Sequence, residues 1–381
     1  MNPFKFLWGT LFRLFPCPTE VGLFPIGNPG PKSPVLATCN FYITVRRLMK
    51  ALHGRDAWLL VADSRGVNVW CAAGGDEFNT RSVVSAIKTS GVEGRVDHRR
   101  VILPPLGAPG IKAKDVEKQT GWTVRWGPVR AADIPRFLDQ GERRTEGMKR
   151  VTYGWRERLD TALGSLFPFF FLGALGFLLI APHLFWVYLG AGSVAFFLFF
   201  LTCPWLPGKR GLTKVLFLEA AFGLLWAACA LFDIQACALL GSGPGAEFVI
   251  AMVMLLIYGT ELGGLAPHMR SDLDPFLSKL GIGAIGNLSF AGSIRTRLLN
   301  GSLCLKYYRD RCVGCRSCAE VCPQGVWSMD KEKRALLEHI EKCTACRACL
   351  VQCPEDAIRA EPDQCGSRSK GRSDLQHFHK S

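Results

Sequence analysis

Cys312-Val-Gly-Cys-Arg-Ser-Cys-Ala-Glu-Val-Cys-Pro323 is followed by Cys343-Thr-Ala-Cys-Arg-Ala-Cys-Leu-Val-Gln-Cys-Pro354, so the spacing C-x2-C-x2-C-x3-C-P is written twice. Thiolates hold iron–sulfur cubes. In this pattern three close cysteines wrap one cube and the fourth, just before proline, reaches the other. The spacing assigns Cys312, Cys315, Cys318 and Cys353 to one [4Fe–4S] cluster, and Cys343, Cys346, Cys349 and Cys322 to a second. Structural zinc closes on four ligands per ion and gives no reason for two complete runs of this kind. Residues 300–362 therefore read as a small domain that passes single electrons.

Upstream of it the chain is markedly apolar. No Asp, Glu, Lys or Arg occurs from Thr161 to Gly208, a run of 48 residues, where about 20 apolar residues suffice to cross a bilayer. Four stretches are expected as spans: Leu163 to Ile180, His183 to Cys203, Leu212 to Phe232 and Glu247 to Leu265. Together they make 160–266 an α-helical transmembrane domain, with Pro275 to Ile294 as a candidate fifth crossing. Lys149, Arg150, Arg156, Arg158, Lys209, Arg210 and Lys214 flank the spans, whereas the intervening loops Ala181 to Pro182 and Asp233 to Ala246 lack Lys and Arg. That asymmetry predicts a multi-pass protein of the cytoplasmic (inner) membrane, in contact with the lipid bilayer, with both ends in the cytoplasm. The net charge of +14 lies in these flanks and in the basic flexible tail 363–381, so nucleic acid is not an expected partner. Of sixteen cysteines eight sit at cluster spacing, and no signal peptide precedes them, which again places the redox parts in the cytoplasm. Glu219 and Glu261 fall inside expected spans, where ionisable groups are costly and mark either a site or a helix–helix bond. Gly281-Ile-Gly-Ala-Ile-Gly286 matches G-x-G-x-x-G but lacks the strand, helix and acidic residue that a dinucleotide site requires.

The N-terminal third has another character. Residues 1–20 form an interfacial segment rich in Phe, Leu and Trp, too short to cross a membrane. Across 21–150, short apolar runs (Trp58 to Ala62, Val67 to Trp70, Val101 to Leu103, Val124 to Trp126) alternate with helical patterns, which predicts an α/β sheet layer. Asn79 to Ser90 reads as a capped helix stopped by Gly91.

Within that domain lies Asn68-Val-Trp-Cys-Ala-Ala-Gly74. It closely resembles the signature of the corrinoid subunit of the mercury-methylating proteins. Pro34 to Phe41, Asp56 to Val61, His98 to Pro104 and Gly127 to Ala131 resemble the same family, and the two-cluster segment resembles its bacterial ferredoxin partner, as though the two were fused. The resemblance implies a Rossmann-like corrinoid-binding domain at 21–150 and an α+β ferredoxin-like domain at 300–362. It makes Cys71 the lower axial ligand of cobalt and the catalytic residue. Small residues at Ala72, Ala73 and Gly74 would let a macrocycle approach the backbone. Val69 and Trp70 would line the corrinoid, and Asn68 and Thr38 are further pocket candidates.

The implied function is a membrane-bound corrinoid-dependent methyltransferase that moves a methyl group from methyl–Co(III) to Hg(II), with the fused clusters re-reducing cobalt. Its expected partners are Hg(II), a methyl-donor methyltransferase and a low-potential cytoplasmic reductant. Two departures stand out. Gly75 replaces the family's lysine, and only Cys365 stands where the family has a cysteine pair for mercury, with Cys304 as a second soft ligand. Two alternatives compete: a corrinoid iron–sulfur methyl carrier related to that of acetyl-CoA synthesis, serving another acceptor, and a membrane electron-transfer protein without corrinoid.

Overall fold

The protein is described by a computed structural model over residues 2–13, 15–165, 171–180, 182–207, 211–231, 303–344 and 346–362. A first helix, α1 (Pro3–Leu11), is capped by Asn2, whose side chain accepts from the Phe4 and Lys5 amides. The N-terminal domain then runs β1 (Gly22–Ile26), β2 (Val35–Cys39), α2 (Tyr42–Ala51), β3 (Ala57–Ala62), α3 (Val69–Gly75), α4 (Thr80–Thr89), β4 (Arg100–Leu103), α5 (Ala113–Thr120), β5 (Thr123–Trp126), α6 (Ile134–Asp139) and α7 (Glu146–Lys149). The strands form one sheet in the order β1-β3-β2-β4-β5. β3, β2, β4 and β5 are parallel and β1 runs antiparallel against β3. β2 is buried along its whole length, as a central parallel strand with helices on both faces must be.

β2 connects to β3 on one side, whereas β4 connects to β5 on the other. The chain therefore reverses direction across the sheet between β2 and β4, and the crevice beyond their carboxyl ends is where open α/β sheets take ligands. One apolar cluster fills each face of the sheet: Val35, Ala37, Cys39, Leu60, Val101 and Leu103 with α3 and α4 on one, Leu36, Leu59, Val61 and Ile102 with α2 and Phe137 on the other.

Three expected strands and the Asn79 helix are present at β3, β4, β5 and α4. In α4 the Asn79 side chain accepts from the Ser82 amide while the Ser82 hydroxyl accepts from the Asn79 amide, and Gly91 sits at φ +70° just beyond the end. The strand expected at Val67 to Trp70 is not formed. Val69 and Trp70 instead open α3, because Asn68 caps a helix there and accepts from the Cys71 amide at 3.1 Å. A four-residue apolar run carries no period long enough to tell strand from helix, and the cap decided it.

The transmembrane domain is also corrected: among the described residues no helix is long and apolar enough to cross a membrane. The first expected span yields α8 (Trp155–Ser165) and α9 (Phe171–Ile180), the latter of 10 residues, about 15 Å long. The second is broken by a 3-10 turn at Pro182–Leu184 and a π turn at Tyr188–Gly192, leaving α10 (Phe185–Val187) and α11 (Ser193–Thr202). The third, α12 (Gly211–Leu231), carries Lys214, buried with its ammonium donating to the Cys203 and Leu206 carbonyls, and Glu219. These helices pack on one another through Tyr188, Phe196, Phe199, Phe200 and Val215. The inner-membrane, multi-pass placement, the cytoplasmic assignment derived from it and the bilayer as a partner lose their basis with the spans. Glu247 to Leu265, Pro275 to Ile294, Glu261 and the glycine motif at 281–286 lie outside the described residues, as do Cys365 and the tail.

The C-terminal unit is built from two equivalent halves. β6 (Leu303–Tyr307) pairs antiparallel with β9 (Ile358–Pro362), and β7 (Trp327–Met329) with β8 (Ala335–Leu337). Each half contributes a 3-10 turn, three close cysteines and a short helix, α13 (Ser317–Val321) or α14 (Ala348–Gln352). Arg316 and Arg347, at φ +63° and +66°, make the same left-handed turn into the two helices.

Candidate functional site

In the C-terminal unit Cys312, Cys315, Cys318 and Cys353 line a single pocket together with Met329 and Ile358. Burial, then the neighbouring thiols Cys315, Cys312 and Cys353, push Cys318 up to about 12. In the other half burial, then Cys322 and Cys343, push Cys346 up to about 12, and Cys349 is raised well above its ordinary value by burial and by Cys346, Cys322 and Cys343. Each run thus meets the fourth cysteine of the other. Thiols gathered in this way resist deprotonation until a cationic centre binds them, which is the behaviour of a cluster site. Among the described residues no three His, Cys, Asp or Glu converge tightly enough to hold one metal ion. A cube offers a separate iron to each thiolate and needs no three of them to converge on one ion.

Backbone amides complete each half: Val326 donates to Cys322 Sγ at 3.4 Å and Ala357 to Cys353 Sγ at 3.3 Å, both four residues beyond the cysteine. Ala335 donates to Cys312 Sγ at 3.5 Å. Such bonds tune a cluster's potential.

In the N-terminal domain Cys71 lies in the first turn of α3, 7% exposed. Its helix packs between the end of β2 and the turn Pro105–Gly107 that follows β4, at the crevice described above. Trp70 and Gly74, one helical turn apart, are half-buried. Val69, Ala72 and Ala73 are buried and turned into the protein; the Ala73 carbonyl and Cα leave no room for a side chain at Gly110. Thr38, 1% exposed, is held inside the sheet opposite Val61. Of the sequence candidates, Asn68, Trp70 and Gly74 are half-buried, and Thr38, Val69, Cys71, Ala72 and Ala73 are buried.

One residue was missed. Asn40, 4% exposed at the carboxyl end of β2, accepts with its Oδ1 from the Ser64 amide and hydroxyl and from the Gly66 amide, at 3.0, 2.9 and 2.8 Å, and donates to Asp63. It fixes the loop that delivers α3. Its place after an apolar strand, on a segment already singled out, was the available signal; its partners, more than twenty residues away, were not visible. A soft thiol donor in a buried turn, beside a half-buried aromatic and glycine, has donor chemistry suited to a corrinoid's cobalt.

Comparison with known proteins bears on both sites. Residues 14–138 match a family model described as the CO dehydrogenase/acetyl-CoA synthase delta subunit, and residues 311–358 match the 4Fe-4S dicluster domain. The chain is similar to the gamma subunit of the acetyl-CoA decarbonylase/synthase complex of Methanopyrus kandleri, with 36% identity over 138 residues, 36% of this chain and 28% of the relative. It is 32% identical over 149 residues to that of Methanocaldococcus jannaschii, 39% of this chain and 29% of the relative. The chain thus spans less than a third of the curated relatives it matches.

Its cofactors are a corrinoid and two [4Fe–4S] clusters. The resemblance to the mercury-methylating proteins is corrected: the similarity lies with subunits of the acetyl-CoA decarbonylase/synthase type, and it covers the N-terminal α/β domain that had carried the mercury reading. The assignment of Hg(II) as substrate and partner, and the membrane-bound methyltransferase and electron-transfer readings, go with it. So does the methyl-donor and reductant pairing inferred for that reaction.

Proposed function

We propose that this chain is a corrinoid iron–sulfur methyl carrier of the acetyl-CoA decarbonylase/synthase type, whose partners are other subunits of such a complex. One observation carries the reading. The turn Pro105–Gly107 packs against the Cys71 helix, and the loop that continues it, Ala108 to Ala113, is gripped by Gln352 of the cluster domain. When bound, the corrinoid supplies the cobalt that carries the methyl group and the clusters supply single electrons.

The chain's own residues do the rest. Cys71 would hold the corrinoid's cobalt through its thiolate, and the Asn68 cap orients its turn by accepting from the Cys71 amide. Trp70 and Gly74 form the adjoining face. Asn40 holds the loop Ser64 to Gly66 in one shape, so that α3 is presented rigidly. The eight cluster cysteines would hold the two cubes.

The test is single-turnover transfer. The purified chain, loaded with an isotopically labelled methyl group, is mixed with the acceptor subunit of an acetyl-CoA decarbonylase/synthase, and label on the acceptor is followed. Transfer that disappears in Cys71→Ala supports the reading, and no transfer from the native chain contradicts it.

A further inference from the structure

The two cluster sites differ in where they stand. Cys315, with its neighbours Arg311, Val313 and Arg316, is exposed. Cys346, in contrast, packs into an apolar seam formed by Ala108 of the N-terminal domain, Val321 and Ala348 of the cluster domain, and Trp126 at the end of β5. Around that seam the contacts are polar and continuous. Gln352, 8% exposed, donates to the Ala108 carbonyl at 2.9 Å and to the Ile111 carbonyl at 2.5 Å, and its Oε1 accepts from the Ala113 amide at 3.3 Å. Glu320 accepts from Lys149 at 3.0 Å and pairs with Arg144. Arg150 donates to the Cys322 carbonyl and the Val151 amide to the Pro323 carbonyl, both at 3.0 Å. A side chain at Gly325 would collide with the Arg150 guanidinium.

These contacts come from both halves, Glu320 and Val321 from α13 and Ala348 and Gln352 from α14, but the cluster cysteines they engage are only two. Cys322 and Cys346, whose backbone and side chain are engaged, belong to the site completed by Cys343 and Cys349. The pocket lined by Cys312, Cys315, Cys318 and Cys353 contains none of the seam residues. The loop that Gln352 grips continues the turn Pro105–Gly107, which packs against the helix carrying Cys71. Side chains with every polar atom matched across a buried seam hold one orientation of two bodies, because a shifted arrangement would strand buried donors and acceptors.

We infer that the two cluster sites are ordered: electrons enter at the Cys312/Cys315/Cys318/Cys353 site, which presents Cys315 to solvent, and leave for the N-terminal domain from the Cys322/Cys343/Cys346/Cys349 site on the seam, with Gln352 as the positioning residue that keeps the seam-side site against the Ala108 loop. The inference rests on the methyl-carrier reading for its direction and on the seam for its geometry. Each passage moves one electron from an external low-potential one-electron donor through the two sites in turn. No bond is made or broken and no proton need move. Two passages supply a two-electron reduction.

The experiment uses the full chain with its clusters. Iron is withdrawn slowly by a chelator, liberated thiols are capped with iodoacetamide, and capped cysteines are identified by peptide mass spectrometry over time. Cys312, Cys315, Cys318 and Cys353 are expected to be capped first, with the other four protected. Gln352→Ala should shrink that difference by roughly tenfold through loss of its buried hydrogen bonds. Glu320→Gln, at the edge of the seam, should give the same change in smaller measure and serves if Gln352→Ala fails to fold. Equal capping rates in the native chain, or earlier capping of the Cys346 set, would overturn the ordering.

A second measurement follows electron flow. Under photoreduction by a deazaflavin, Gln352→Ala should bleach its clusters as fast as the native chain, while the cobalt(II) electron paramagnetic resonance signal decays roughly tenfold more slowly. Unchanged cobalt decay would remove Gln352's role. If the native clusters bleach and cobalt is never reduced, the methyl-carrier reading fails, and the capping order still decides the geometry.

Discussion

Asn40 illustrates how much rests on single polar side chains in this domain. Its Oδ1 satisfies two backbone amides and a hydroxyl in a region closed to water, so Asn40→Leu strands them, at about 1–3 kcal/mol for each unsatisfied group. We expect a loss of about 2–4 kcal/mol in denaturant titrations, together with weaker corrinoid retention. Gly66, in the same loop, sits at φ +73° with Pro18 N only 2.6 Å from where a side chain would begin. Gly66→Ala should cost at least about 1–2 kcal/mol, since it meets both the left-handed penalty and a backbone clash. Retention of native stability by either variant would contradict this account of the loop. The cluster cysteines were legible in the sequence because their chemistry is encoded in spacing. Asn40 was not, because its importance lies in partners brought from elsewhere by the fold.

At the scale of elements, the outcome depended on whether local signals agreed. The Asn79 helix carries its own start and stop, and its Asn79–Ser82 box makes Asn79→Ala worth about 1 kcal/mol in thermal or chemical unfolding. Val67 to Trp70 offered composition without a period, and the Asn68 cap turned it into helix. The apolar stretch after Thr161 misled for a related reason. Hydropathy averages over breaks, and the π turn at Tyr188–Gly192 and the buried Lys214 become visible only when the segments fold against one another.

An ion-pair clamp on Asp160 of α8, made by Arg13 just beyond α1 and Arg47 of α2, adds a pH dependence. Asp160 is pushed up by burial, but Arg13, bonded through both carboxylate oxygens, and Arg47 outweigh this and hold it below the usual carboxylate range. A depressed folded value means that its stabilisation is fully present above the unfolded value of about 4 and is lost as pH falls below it. Acid titration should therefore unfold the native protein with a steeper fall below about pH 4 than Asp160→Asn. Parallel acid curves for the two proteins would show that the clamp contributes nothing.

Across the whole molecule, the N-terminal sheet and the cluster unit meet through Gln352, Glu320 and the Cys346 seam, a juxtaposition no local sequence signal announces. The sequence pattern did place an α/β layer ahead of a two-cluster unit, because alternating apolar runs and cysteine spacing are local properties. How the two are joined is a property of surfaces. The central claim is that Cys71 meets the cobalt of a corrinoid on a chain that also carries two clusters. It is tested most directly by cobalt(II) electron paramagnetic resonance of the reconstituted native chain and of Cys71→Ala, alongside iron content. The account predicts about eight irons in both proteins and a cobalt signal whose axial pattern changes on removal of the thiolate. Identical cobalt spectra from the two proteins would contradict it.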